Sequence, residues 1–121
     1  MTKLIRTSDQ VCVAARLNFA RSYFSRLKGL IGKKQFDFGE GLLFPKCNSI
    51  HMWMMSIPID VVFLKSNAKN SEWTILSVYP QLKPWKLFPV SDVKADDVLE
   101  LPAGLIDSIS LKKGEVLCIA S

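Results

Sequence analysis

The residues best suited to chemistry lie in one stretch of the sequence, between Cys47 and Asp60. His51 is the only histidine among the 121 residues, and it follows Cys47 at a distance of four positions. A thiol near an imidazole could form a nucleophile with its base, or supply two of the four ligands of a structural zinc site. In an extended strand, however, this spacing separates the two Cα atoms by roughly 13 Å. We therefore expect no metal site, no cofactor and no catalytic cysteine.

Asp60 is the most unusual residue of this stretch, because it lies within the apolar run Ile59–Leu64. An unpaired carboxylate is costly to bury, so Asp60 must be paired, hydrogen-bonded or open to a cavity. We predict Arg26 as its partner, since a guanidinium group binds a carboxylate in a fixed two-pronged geometry. The alternative is that Asp60 and His51 line a polar pocket.

The same stretch also suits the binding of a ligand. Methionine and tryptophan side chains can form a soft apolar surface, although methionine more often fills a core. The leading hypothesis is a non-catalytic binding module whose pocket, near Cys47–Asp60, receives an unknown small molecule or protein segment. The alternative is a small hydrolase or transferase in which His51 is the general base and Asp60 orients it. The predicted ligand-binding residues are His51, Trp53, Met55, Asp60 and Arg26.

Positive charge is concentrated at the start of the chain. Residues 1–34 hold eight of the 16 Lys and Arg residues and a single acid, Asp9, so this part carries +7 and the remainder −2. Such asymmetry can mark a surface that binds nucleic acid, although its usual meaning is a solvated basic face. No base-reading element accompanies the charge. The third hypothesis is therefore a nucleic-acid-associated protein that binds weakly and without sequence specificity.

Composition is typical of one soluble globular domain spanning residues 1–121, with 49% hydrophobic and 22% charged residues. The N-terminus lacks the apolar stretch of a signal peptide, and the apolar region 50–64 is too interrupted to cross a membrane. The three cysteines are odd in number and far apart. We therefore expect a cytoplasmic protein that does not bind membranes and has no disulfide.

Short strands dominate the elements that must position these residues. A helix is predicted at 22–31, where apolar residues recur with helical period and Gly32 follows, and a second one at 102–110. Residues 59–79 are predicted to form a hairpin. The fold class is therefore mainly β, a small β-sandwich or closed barrel with two short helices. Strands are predicted at 3–7, 11–17, 42–44, 49–55, 59–64, 73–79, 97–101 and 115–120.

Several blocks resemble motifs of the widespread bacterial domain-of-unknown-function family 192. Arg26–Lys33 (RLKGLIGK) is similar to its Arg-x-x-Gly-Leu-Leu-Gly-Arg motif, and Cys47–Leu64 is similar to its central block. The Pro84-Trp85 pair, Val98–Gly104 (VLELPAG) and Leu111–Glu115 are similar to its later blocks. The resemblance covers about residues 20 to 118. It implies a mainly-β fold and implies no activity.

Overall fold

Ten strands and one short helix make up the part of the chain that the computed structural model describes, residues 2–20, 36–50, 57–68, 71–83 and 89–120. The mainly-β fold class is confirmed. The predicted helix at 22–31 lies outside the described residues, whereas the second helix, α1, is present and covers Leu105–Ile109. The strands are β1 (Lys3–Arg6), β2 (Cys12–Ala14), β3 (Arg16–Phe19), β4 (Glu40–Pro45), β5 (Ser49–Ile50), β6 (Ile59–Ala68), β7 (Glu72–Leu82), β8 (Val90–Ser91), β9 (Asp97–Pro102) and β10 (Val116–Ala120).

Eight of these strands form one sheet, in the order β2-β1-β10-β7-β6-β9-β4-β3. Its two outermost strands are consecutive in the chain, with only Ala15 between them. β2 pairs with β1 in antiparallel orientation and β3 pairs with β4 in parallel, while Leu17 N–H donates to Thr2 O at 2.8 Å. One short segment thus forms both edges of the sheet, which curls into a nearly closed barrel.

The predicted hairpin at 59–79 is formed by β6 and β7, which pair in antiparallel register. β6 also pairs with β9 on its other side, so it is a central strand. Every residue of Ile59–Leu64 is buried. A run of apolar residues without alternation fits this position, because both faces of the strand contact a core.

The two faces of β6 and β9 contact two different cores, because side chains alternate along each strand. We call the first the inner core, since strands from every part of the eight-stranded sheet contribute to it, together with α1. The second, the outer core, lies on the other face, beneath the two-stranded sheet of β5 and β8. The outer core consists of Ala20, Phe44, Ile50, Ile59, Val61, Phe63, Val90 and Val98, with Phe36, Leu42, Cys47, Ile57, Tyr79, Leu82 and Ala95 packed against it.

Arg6 fastens the N-terminal strand to the C-terminal part of the chain. Its guanidinium group donates to both carboxylate oxygens of Asp9, to Glu115 and to the carbonyl oxygens of Ile109 and Ser110. These acceptors leave the Arg6 residue only 7% exposed. Arg6 is therefore a structural residue, and its charge is not available to a basic surface.

All three cysteines are free thiols. Cys12 and Cys118 pair with Ile5 from strands on its two sides, so two strand spacings separate them. That separation, about 10 Å, exceeds the reach of a disulfide. Among the described residues, no helix has the length and apolarity needed to cross a membrane.

Gly41 marks the tightest packing where the barrel closes. A Cβ atom at Gly41 would lie 2.9 Å from Ala14 Cβ and 3.2 Å from Leu17 Cδ1. We expect Gly41→Ala to lower the free energy of unfolding by about 2 kcal/mol, because the added methyl group overpacks this site. Combining it with Ala14→Gly should cost less than the sum of the two single changes, since the nearest atom is then removed. Urea denaturation gives the free energy of unfolding of the two single variants and the double variant. If the two single losses add up to the loss in the double variant, the close contact is contradicted.

Candidate functional site on the outer face of the barrel

The Asp60 side chain is fully buried and hydrogen-bonded to three backbone amides. Gln81 N–H and Gly104 N–H donate to Oδ1 at 2.7 and 3.1 Å, and Ile106 N–H donates to Oδ2 at 2.7 Å. The carboxylate therefore ties β6 to β7 and to the start of α1. The sequence analysis expected Asp60 to be paired, hydrogen-bonded or open to a cavity, and the structure shows hydrogen bonds.

The other four residues predicted to bind a ligand, namely His51, Trp53, Met55 and Arg26, lie outside the described residues. The pairing of Arg26 with Asp60 and the pocket shared by His51 and Asp60 therefore stay predictions. No group of three or more His, Cys, Asp or Glu side chains suited to holding a metal ion occurs within the described ranges.

Cys47 lies at the outer core, and its thiol bonds to the chain itself. Cys47 Sγ donates to Ser49 O at 3.2 Å, and its backbone N–H donates to Asp96 O at 3.0 Å. The side chain also packs against the outer core. These contacts fix the turn into β5, the strand that immediately precedes His51.

Glu100 is the functional candidate that the sequence analysis missed. It lies in the middle of β9, where its neighbours across the two strand pairs are Leu42 of β4 and Val61 of β6. Alternation along β9 directs its side chain to the same face as Val98, toward the outer core. Glu100 is only 5% exposed. A carboxyl group is thus placed among the apolar side chains of the outer core.

Within the described part of the chain, no side chain forms a hydrogen bond or ion pair with the Glu100 carboxyl, and burial raises its pKa to about 8. It is therefore protonated at neutral pH and can donate as well as accept a hydrogen bond. Asp97, another buried acid of β9, differs: Trp73 Nε1–H and Lys46 N–H donate to its oxygens at 2.7 and 3.0 Å. Buried carboxyl groups without such donors are enriched at functional sites.

A second carboxyl group lies on the same face, at the start of β4. Alternation places Glu40 on the side of Leu42, diagonally across from Glu100, with roughly 7 to 8 Å between the two Cα atoms. Glu40 is half-buried, and its Oε1 accepts a hydrogen bond from Asp37 N–H at 3.0 Å. Arg16 of β3 lies beside Glu40 in the parallel register. We call Glu40, Leu42, Val61 and Glu100 the Glu100 patch.

The sequence contains a signal for Glu100. Glu100 stands between Leu99 and Leu101 in a predicted strand, which is the same situation that singled out Asp60. Of the basic residues at the start of the chain, Lys3 is exposed, Arg16 is half-buried and Arg6 is buried. The remaining five lie outside the described residues, so weak nucleic-acid binding stays a prediction.

The sequence matches known proteins along almost its whole length. A family model, DUF192, described as "Uncharacterized ACR, COG1430", matches residues 4–119. Two archaeal relatives are UPF0127 proteins: one from Pyrococcus furiosus is 30% identical over 87% of each chain, and one from Pyrococcus horikoshii is 29% identical over 93% of this chain and 94% of its own length. A UPF0127 protein from Thermococcus sibiricus is 28% identical over 83% of this chain, which spans 63% of that relative.

Two crystal structures share the fold. A chain from Sinorhizobium meliloti, described as a candidate transcription regulator, superposes with a TM-score of 0.79 at 21% identity, covering 98% of this chain and 91% of its own. A protein of unknown function from Novosphingobium aromaticivorans superposes with a TM-score of 0.75, also at 21% identity, covering 96% and 81%. The resemblance to family 192 is thus confirmed. The three sequence relatives are archaeal, whereas the two chains that share the fold are bacterial.

Proposed function

We propose that this chain, which belongs to the DUF192 family, is a non-catalytic binding module whose ligand site lies on the outer face of the barrel, at the Glu100 patch. The ligand is a small molecule or a segment of a partner protein. His51, Trp53 and Met55 belong to this proposed site as the neighbouring segment of the chain.

The observation that carries the proposal is the buried carboxyl group of Glu100. Glu100 has no partner among the described side chains, and burying an unpartnered polar group lowers stability. A role in binding would explain why an acid occupies this position. Leu42, which is half-buried, and Val61, which is fully buried, flank it with apolar side chains. A few polar groups on an otherwise apolar surface are typical of sites for small ligands.

The ends of the segment 51–56 support the inclusion of His51. Ile50 and Ile57, the residues on either side of this segment, both pack at the outer core, on the face that holds Glu100. The segment is therefore attached at both ends to the proposed site.

The segment that contains Arg26 is attached in the same way. Ala20 and Phe36, on either side of residues 21–35, also belong to the outer core or pack against it. Arg26 therefore remains within the proposal as a ligand-binding residue.

Hydrogen bonding at Asp60 favours binding over the hydrolase alternative. A general base at His51 would need a carboxylate to orient it, and Asp60 was the candidate. Both oxygens of Asp60 accept backbone hydrogen bonds from β7 and from α1. Orienting an imidazole is thus not needed to explain why this carboxylate is buried.

A thermal-shift screen of the full chain against a metabolite library tests the proposal. We expect at least one compound to stabilise the protein, by about 2.7 kcal/mol at a hundredfold excess over its Kd. Glu100→Gln should lose this stabilisation. Glu72→Gln is the matched control, because Glu72 lies on β7 and its side chain bonds to Asn67, away from the outer core. A screen without binders, or binders that Glu100→Gln retains, would contradict the proposal.

A further inference from the structure

We propose that Lys3 and Arg16 form a second binding site, for the phosphate group of a small phosphate monoester, at the seam where β1 and β3 meet and the barrel closes. This inference goes beyond the binding function proposed above, because it concerns a different site and an anionic ligand. It follows from the positions of the two cationic side chains and from the absence of acceptors for them among the described residues.

The strand register brings Lys3 and Arg16 together. Leu4 of β1 pairs with Ala14 of β2, and further along β1 the carbonyl oxygen of Thr2 accepts a hydrogen bond from Leu17 N–H at 2.8 Å. The chain thus continues from β2 into β3 alongside β1, in the antiparallel direction. Lys3, which follows Thr2, then lies opposite Arg16, which precedes Leu17, with roughly 4.5 to 5.5 Å between the two Cα atoms.

Both side chains project to the accessible side of the seam. Leu4 and Leu17 belong to the inner core, so alternation directs their neighbours Lys3 and Arg16 to the other face of the sheet. Lys3 is exposed and Arg16 is half-buried. A ligand in solution can therefore reach both cationic groups.

Gly39 provides the seat of the Arg16 side chain. A Cβ atom at Gly39 would lie 3.3 Å from Nη2 and 3.4 Å from Nη1 of Arg16, so only a residue without a side chain lets the guanidinium group approach the backbone this closely. Gly39 has a φ of 100°, which also favours glycine. Packing against the loop restricts the Arg16 side chain before any ligand binds, and this lowers the entropic cost of binding.

Neither cation is neutralised by the described part of the chain. Within those ranges, no oxygen atom accepts a hydrogen bond or forms an ion pair with the Arg16 guanidinium or the Lys3 ammonium group. Arg6 differs, because its guanidinium group bonds to Asp9 and to the carbonyl oxygen of Ile109. Like charges on directly opposite residues destabilise a strand pair. An anion placed between Lys3 and Arg16 would remove this repulsion.

The acidic groups near Arg16 lie on its other side. Glu40 of β4 is the neighbour of Arg16 in the parallel register, and Asp37 lies in the loop before β4. Glu40 Oε1 accepts a hydrogen bond from Asp37 N–H, and no ion pair joins Glu40 to Arg16. An anion is therefore expected on the side of Arg16 that faces β1, where Lys3 lies.

The two cations fit a phosphate monoester better than other anions. A guanidinium group can donate two parallel hydrogen bonds to two phosphate oxygens, while an ammonium group supplies a second positive charge. A monoester carries a charge of about −1.5 to −2 at pH 7, which matches two cations. A nucleic-acid backbone has one negative charge per phosphate, and its affinity depends on several such contacts.

The test titrates the full chain with methyl phosphate, methyl sulfate, acetate and a short oligothymidylate. Two-dimensional NMR follows the backbone amides of Lys3, Arg16 and Gly39 and the Nε–H group of Arg16. Methyl phosphate should shift these signals and bind about tenfold more tightly than acetate or than methyl sulfate, which has the same shape but a single charge. Its affinity should rise about tenfold between pH 5 and pH 7, because its second proton leaves with a pKa of about 6.

Methyl sulfate controls for the protein's own titration. It keeps a single charge over this pH range, so any pH dependence of its binding belongs to groups of the protein such as Glu40 and Asp37. The rise expected for methyl phosphate is the part that methyl sulfate does not show.

Variants assign the binding to the seam. Arg16→Gln should weaken methyl phosphate binding about tenfold, and Arg16→Lys, which keeps the charge but not the fork, should be intermediate. Lys3→Gln should weaken binding about threefold without lowering the free energy of unfolding, because it removes a like-charge pair. Lys113→Gln is the matched control, since Lys113 is an exposed lysine in the turn before β10.

Three results would overturn the inference. The first is methyl phosphate that leaves the Arg16 and Gly39 signals unshifted, which the wild-type chain shows without any variant. The second is equal affinity for methyl phosphate and methyl sulfate. The third is an oligothymidylate that shifts the same signals and binds more tightly than methyl phosphate, because the seam would then be a nucleic-acid contact. The Glu100 patch is tested separately, by the metabolite screen and Glu100→Gln.

Discussion

Replacing Asp60 with alanine is expected to lower the free energy of unfolding by about 4 kcal/mol. The change leaves three N–H groups, those of Gln81, Gly104 and Ile106, without their acceptor. The bond from Ile106 is buried and the other two are part-buried. A buried donor that loses its partner costs about 1 to 3 kcal/mol, and a part-buried one costs less. Urea denaturation at pH 7, followed by tryptophan fluorescence and circular dichroism, measures the loss.

Two further variants serve as controls for Asp60→Ala. Asp60→Asn should be intermediate, because its amide oxygen still accepts hydrogen bonds but its amide nitrogen cannot. Asp92→Ala removes a half-buried carboxylate bonded to Ser77 and Lys94, and should cost about 1 kcal/mol. A loss below 1 kcal/mol for Asp60→Ala would show that the carboxylate does not hold β6, β7 and α1 together.

The second large effect is expected at Glu100, and it depends on pH. Burial raises the pKa of Glu100 from 4.5 to about 8, so between these values the folded protein holds a proton that the unfolded chain has lost. The contribution of Glu100 to stability is therefore fully present below pH 4.5 and is lost as pH rises to about 8. The decrease amounts to about 1.4 kcal/mol per pH unit.

Glu100→Gln should remove this dependence. The glutamine has nearly the shape and polarity of the protonated acid, so the variant and the wild type should be about equally stable at pH 4.5. At pH 7 we expect the variant to be more stable by about 3 kcal/mol. Denaturation curves at half-unit pH steps give the difference. The hydrogen bond to Arg6 lowers the pKa of Asp9, so Asp9 also contributes to the pH dependence of stability. This contribution is the same in both proteins and cancels in their difference.

A stabilising Glu100→Gln substitution would also bear on function. Glu100 would then lower the stability of the protein at neutral pH, and a single substitution would restore it. Such a loss of stability is typical of sites where a residue is kept for binding. If the wild type and Glu100→Gln show the same pH dependence, the acid is ionised in the folded protein. Glu100 would then have a cationic partner within the chain, and the binding proposal would lose its main support.

Local sequence patterns determined much of the fold. The apolar run Ile59–Leu64 indicated a strand buried on both faces, and β6 is central to the sheet. The turn residues after it indicated a hairpin, which β6 and β7 form. The choice between a sandwich and a barrel depended on a contact that no local pattern encodes, the closure of the sheet through β2 and β3.

Charge patterns were less reliable, because they do not show where a side chain lies. Arg6 was counted with the basic start of the chain, yet it is buried among acceptors that include Glu115, Ile109 and Ser110, more than 100 positions away. Asp9, three positions away, could be identified from neighbouring residues, but these three partners could not. The strand pairing of β1 with β10 brings them together.

The sequence by itself determined that Asp60 must be bonded, since a carboxylate inside an apolar strand is too costly to leave unpaired. Only the tertiary structure decided which groups bond it: the amides of Gln81, Gly104 and Ile106, which lie 21, 44 and 46 positions away. Likewise, the residues next to Glu100 in the sequence indicate an acid in a strand. Its burial depends on the strand register, which places it between Leu42 and Val61. Burial and pairing are properties of contacts between distant segments, and these contacts exist only once the barrel has closed.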